Sequence, residues 1–216
     1  MSAISEYLER LEAWDNKTFL NLYNSDFSKR TKAFAKYYSF LGSLYFWVTI
    51  WFVWWLYGYI TKDYYLLVIF TSGFEQSILI HMLIRYKIIK RNRPFIVLKD
   101  EGVQKHDDYI RIPYVMSDSE HKSFPSGHVT FLLFFGIIFS WYFDSWAILS
   151  IFIMLDIIMA GCRIILGVHY PTDVLFGFFF ALFYAILFLG LTYTYWAAFY
   201  YWIGPIVSDI VHLRFL

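Results

Sequence analysis

Two histidines in this 216-residue chain stand where residue type and spacing suit chemistry on an anion. The first closes the run Pro125-Ser126-Gly127-His128, where a polar loop gives way to an apolar stretch. Pro125 suits a helix start, Ser126 is a favourable N-cap, and Gly127 lets another group approach the backbone. The open N–H groups and positive dipole end of such a turn favour an anion, and His128 beside them is a titratable proton donor. The plainer alternative is a helix start whose histidine faces interfacial water. The second histidine is His169, with Asp173 four residues on, able to orient the ring and stabilise its charge. Arg91, Arg93 and Arg163, with Lys87 and Lys90, supply forked and point-charge donors for a phosphate.

Those parts suit a covalent phosphoryl transfer. A carboxylate-held imidazole is a nucleophile at neutral pH, a protonated imidazole can hand a proton to the leaving oxygen, and guanidinium groups neutralise the phosphoryl charge. No metal or other cofactor is expected, because both histidines lie among cations and no His-Glu-x-x-His pattern is present.

The elements that must position these groups read as membrane helices. The chain is 59% hydrophobic and 24% aromatic, with a mean hydropathy of +0.50, beyond an ordinary soluble domain. The net charge of +1 says little about partners, because a nucleic-acid binder is marked by a basic face and not by its total; no nucleic-acid partner is expected. Cys162 is the sole cysteine, so no intrachain disulfide can form. The N-terminal stretch lacks the pattern of a cleavable signal peptide. Ile4, Tyr7, Leu8, Leu11 and Trp14 recur at helical spacing opposite Glu6, Glu9, Arg10 and Glu12, an amphipathic helix lying in the interface. Asp15 to Lys36 is too polar to span. Spans are expected at about 37–60, 64–84, 128–142, 145–166 and 174–203. Residues 95–124 form a long mixed-charge loop, read as a lid or entrance to the active site.

The predicted fold is therefore all-α: a polytopic transmembrane helix bundle of about five spans, one domain over residues 1–216, with interfacial N-terminal helices over 1–36. Antiparallel threading brings the basic run before Pro94, the long loop, the His128 helix start and the turn from Arg163 to Asp173 to one face. Glu75, Gln76, His81 and Asp156 fall inside spans and should face the bundle. Glu75 and Asp156 are expected to pair with His81 or with hydroxyls between helices.

The motifs resemble those of the type 2 phosphatidic acid phosphatases, a lipid-phosphatase family whose site is shared with vanadium haloperoxidases. Its signatures are Lys-x6-Arg-Pro, Pro-Ser-Gly-His and Ser-Arg-x5-His-x3-Asp. The second stands intact at Pro125 to His128; the third matches at Arg163, His169 and Asp173, and the first at Arg93-Pro94. The resemblance implies that His169 is the nucleophile forming a phosphohistidine, Asp173 its orienting partner, and His128 the acid and later the base. It implies that Arg93, Arg163, Ser126 and Gly127 bind phosphate, and that the reaction needs no metal. Two positions depart from the pattern. The family lysine would fall at Tyr86, with Lys87 one residue closer and Lys90 or Arg85 as substitutes, and the family serine is Cys162, a weaker hydrogen-bond partner. The family commonly has six spans.

The expected partners are a bilayer and a lipid phosphate or pyrophosphate held in it; in a bacterium the candidates are lipid A, undecaprenyl pyrophosphate and phosphatidylglycerophosphate. The resemblance implies an inner-membrane protein acting on the periplasmic face. The positive-inside rule points the other way, because of the 18 Lys and Arg residues only Lys62 and Arg214 fall on the opposite side. A lipid phosphotransferase would use the same phosphohistidine. A transporter or structural membrane protein would instead use Glu75, Asp156 and Arg163 as a buried charge network, leaving the Pro-Ser-Gly-His start and the His169 to Asp173 spacing without a purpose.

Overall fold

The computed structural model describes residues 3–106 and 121–215, with side chains over residues 5–106 and 121–205. Part of the 95–124 loop therefore lies outside the described residues. Nine α-helices are described: α1 (Ala3–Tyr23), α2 (Asp26–Tyr38), α3 (Leu44–Thr61), α4 (Tyr65–Leu83), α5 (Pro94–Val97), α6 (Gly127–Tyr142), α7 (Trp146–Ile165), α8 (Pro171–Leu187) and α9 (Tyr193–Phe215). Within the described residues the only β-type pairing is an isolated bridge between Asn92 and Lys122. Local chemistry starts the helices where it is expected to. The Ser25 and Ser43 hydroxyls accept from the backbone N–H groups of Ser28 and Phe46 and open α2 and α3.

α6 is the centre of the bundle. Phe134, Phe135 and Ile138 are fully buried on it, and Phe135 lies 4.4 Å from the ring of Phe70 on α4 and 4.3 Å from Trp47 on α3. Outward faces stay apolar, with Met154 and Ile157 on α7 and Phe179 and Ile186 on α8 exposed, as helices surrounded by lipid require. Half-buried polar side chains tie the helices to one another: Tyr200 donates to Glu75 at 2.6 Å, and Thr192 and Trp196 both donate to Gln76 at 2.7 Å. Glu75 thus meets a hydroxyl between helices. Asp156, expected to do the same, is fully buried and both of its oxygens lack a hydrogen-bond partner among the described residues.

Among the described residues, three helices are long and apolar enough to cross a membrane: Tyr65–Ile88, Trp146–Ile165 and Pro171–Pro205. A fourth crossing is available if Asp26–Gly42 and Leu44–Thr61, bent by 43°, act as one broken span. The expected first span at 37–60 is thus interrupted by a 3-10 turn, Ser39–Gly42. The expected third span is α6, whose 16 residues reach about 24 Å at the α-helical rise, short of a hydrocarbon core of about 30 Å. Most of its residues are buried among neighbouring helices. The N-terminal segment also differs from a float lying free in the interface. α1 runs on to Tyr23, and Phe19, fully buried, packs between Tyr23 and Tyr170 with ring centroids 5.5 and 5.6 Å away.

Candidate active site

The end of α4, the start of α6, the end of α7 and the start of α8 meet at one end of the bundle, and there the titratable residues gather. The base of the long loop is closed by backbone pairs, Arg93 N–H to His121 O at 3.0 Å and Ser123 N–H to Arg91 O at 2.9 Å. This clasp sets Arg93 and the Ser126 turn side by side. The Ser126 N–H also donates to Asp173 O at 3.0 Å, joining the openings of α6 and α8. Ser126 occupies the N-cap position of α6 without a side-chain cap bond; its buried hydroxyl has no hydrogen-bond partner among the described residues. A hydroxyl and first-turn N–H groups in this arrangement are the kind of donors an anion takes.

His169 lies on the turn between α7 and α8 and is 1% exposed. Its Nδ1 is 3.6 Å from Asp173 Oδ2, longer than a hydrogen bond, a separation of the kind that tightens when a substrate arrives. Asp173 is held independently: Oδ2 accepts from the Tyr170 N–H at 2.9 Å, and Oδ1 accepts from Arg91 at 3.0 Å. With Nδ1 turned to the carboxylate, Nε2 is the nitrogen left for a substrate. Burial pushes the His169 pKa well below the ordinary imidazole value, and the positive charges of Arg93, Arg163, Arg85 and His128 push it the same way. The ring is neutral at pH 7, with its lone pair intact. The same cations that repel a proton attract a phosphate.

Arg163 is 1% exposed at the end of α7, and Arg93 donates to Lys122 O at 3.2 Å and Val168 O at 3.5 Å. His128 stands half-buried in the first turn of α6 and presses on Gly42: a Cβ there would come within 2.7 Å of the imidazole. The space for His128 thus depends on a glycine in the 3-10 turn before α3. Gly127 faces Arg85 and His81, since a Cβ on it would lie 3.4 Å from Arg85 Nη2 and from His81 Nε2.

Two placements differ from the sequence reading. Lys87 is exposed, as is Lys90, whereas Arg85 is buried and its guanidinium donates to Pro125 O. The reason is a π-helical turn over Ile84–Ile88, which takes in one extra residue and turns Arg85 inward although it is eight positions before Arg93. Arg91, expected to hold phosphate, is engaged with carboxylates: it reaches Asp15 at 2.5 Å, Asp173 at 3.0 Å and the Thr172 hydroxyl at 2.6 Å, and its guanidinium covers the Tyr170 ring at 3.9 Å. Cys162 packs with Ala35, Ile165, Leu166 and Val168 in an apolar cluster. Asp15, Gly42 and Thr172 are neighbours of the site that sequence reasoning missed; Asp15 and Thr172 touch across 157 positions of chain, and no local pattern announces that. Among the described residues, no group of three His, Cys, Asp or Glu side chains is placed to hold a metal ion.

The PAP2 superfamily family model matches residues 62–199, well over half of the chain. No curated protein sequence matches it. Among solved structures, the crystal structure of Aquifex aeolicus LpxE resembles the chain with a TM-score of 0.52 at 18% identity, covering 82% of this chain and 95% of that one. At that identity the likeness concerns the fold.

Proposed function

Since the chain belongs to the PAP2 superfamily, we propose that it is an integral-membrane lipid phosphatase working through a phosphohistidine on His169. The observation that carries this reading is the convergence of a neutral, buried His169 beside Asp173 with the cations Arg85, Arg93 and Arg163. In the proposed reaction the lipid phosphate sits on the Ser126–His128 helix start, with Gly127 giving it close access to the backbone. Arg93, Arg163 and Arg85 neutralise its oxygens, and Arg85 takes the role expected of Lys87. His169 Nε2 attacks phosphorus, forming the P–N bond as the P–O bond to the lipid breaks. His128 gives its proton to the leaving oxygen. Asp173 stabilises the imidazolium character that the phosphorylated ring acquires. In the second half, water attacks phosphorus, His128 takes its proton, and the P–N bond breaks to return His169.

The substrate class is a lipid monophosphate or pyrophosphate, with lipid A, undecaprenyl pyrophosphate and phosphatidylglycerophosphate as bacterial candidates. The proposed location is the inner membrane, with the site on the periplasmic face. No metal takes part in the proposed steps. The test is a phosphate-release panel over these three lipids with purified protein, with and without chelator and added alcohol acceptor. Release from at least one lipid, insensitive to chelator and abolished by His169→Ala, is expected. No release from any, or loss on chelation, contradicts the reading, and transfer of label to the acceptor instead of water favours a phosphotransferase.

A further inference from the structure

We propose that Asp15, on α1 and far from every motif of the site, is a positioning residue for the nucleophile, acting through Arg91 and Asp173; this rests on the phosphohistidine reading above. Asp15 is 1% exposed, a placement rare for an unpaired carboxylate. It has three contacts. Oδ2 accepts from Arg91 at 2.5 Å and from the Thr172 hydroxyl, and Oδ1 accepts from the Thr172 N–H at 3.1 Å. Thr172 belongs to the opening turn of α8, one residue before Asp173, so Asp15 serves as a cap delivered from another helix.

The charge count gives this arrangement its consequence. Arg91 divides its guanidinium between two carboxylates, Nη2 to Asp15 and Nη1 to Asp173. A guanidinium paired with Asp173 alone would draw the carboxylate into a one-to-one pair and leave little negative potential for His169. With Asp15 included, two anions share one cation, and the group keeps a net charge of −1 beside the imidazole. That charge favours the tautomer with hydrogen on Nδ1, and it favours the positive ring formed as Nε2 bonds to phosphorus. It opposes Arg85, Arg93, Arg163 and His128, which face His169 from the other elements. The N-terminal helix is in this way part of the catalytic apparatus, docked by Phe19 and wired by Asp15.

The test uses the full-length protein in lipid–detergent micelles. Asp15→Asn keeps an amide oxygen for the Thr172 N–H, removes the charge, and sets an amide NH2 in place of the oxygen that accepts from Arg91 and the Thr172 hydroxyl. It is expected to lower kcat roughly tenfold or more, by analogy with the loss of a partner behind a metal-binding histidine, with KM nearly unchanged because Asp15 does not touch phosphate. Nitrogen-15 shifts of the ring are expected to show His169 losing the Nδ1–H tautomer, and Asp15→Glu to recover most of both readouts. Arg91→Lys, which keeps a cation but cannot bridge two carboxylates with separate nitrogens, is expected to reproduce the loss if Asp15→Asn does not fold. Native kcat and tautomer in Asp15→Asn, or a loss of kcat with an unchanged tautomer, would overturn the proposal. The tautomer is read without turnover: a shift in a protein that hydrolyses no lipid phosphate would retain the positioning role and sink the phosphatase reading.

Discussion

At the scale of single residues, the proposed site separates cations assigned to phosphate from a cation engaged by carboxylates. Arg85 and Arg91 are six positions apart, yet the first is buried beside the α6 opening and the second is bound to Asp15 and Asp173. The sequence displays both as positive charges near Pro94 and cannot show which anion each meets. Arg85→Ala is expected to lower kcat/KM by roughly a hundredfold or more, the scale for loss of one preorganised donor, while Lys87→Ala, removing an exposed charge, leaves it near native. Steady-state kinetics on one lipid phosphate check both, and the reverse order would return the phosphate contact to Lys87. His128, His169 and Asp173 were legible because their signals are local: a helix start, and a four-residue spacing. Gly42 was not, because the need for a glycine arises only where another helix brings an imidazole against it.

At the scale of elements, the apolar runs located most helices, and the errors cluster where periodicity is interrupted. The π turn at Ile84–Ile88 has no sequence signature, and it decides that Arg85 points inward. The 3-10 turn at Ser39–Gly42 likewise lies inside an apolar run that reads as continuous. For α1 the amphipathic pattern was visible, but Asp15 and Phe19 meet protein, at Arg91, Thr172 and Tyr170. Phe19→Ala opens a cavity beneath Tyr170 and is expected to weaken the docking of α1 by about 3 to 5 kcal/mol. Hydrogen exchange should then rise across the amides of α1 while α7 stays protected, and phosphate release should fall with it. Protection of α1 at the native level would mean that the helix is held by something other than this aromatic cluster.

For the whole molecule, the bundle solves one problem: it holds polar chemistry at the end of an apolar scaffold. α6 is short and surrounded, so its N-terminal turn opens among α4, α7 and α8 instead of in lipid. Composition and threading made this architecture legible, because charge is concentrated at one end of the chain's hairpins, whereas the number of crossings depended on bends that composition does not record. The central claim is that this end of the bundle transfers a phosphoryl group to His169. Rapid mixing with a lipid carrying labelled phosphate, alkaline quenching and peptide mapping test it most directly. The account predicts a transient, acid-labile label on the peptide containing His169, absent from His169→Ala and longer-lived in His128→Ala. Turnover with no labelled protein, or label residing on another side chain, would contradict it.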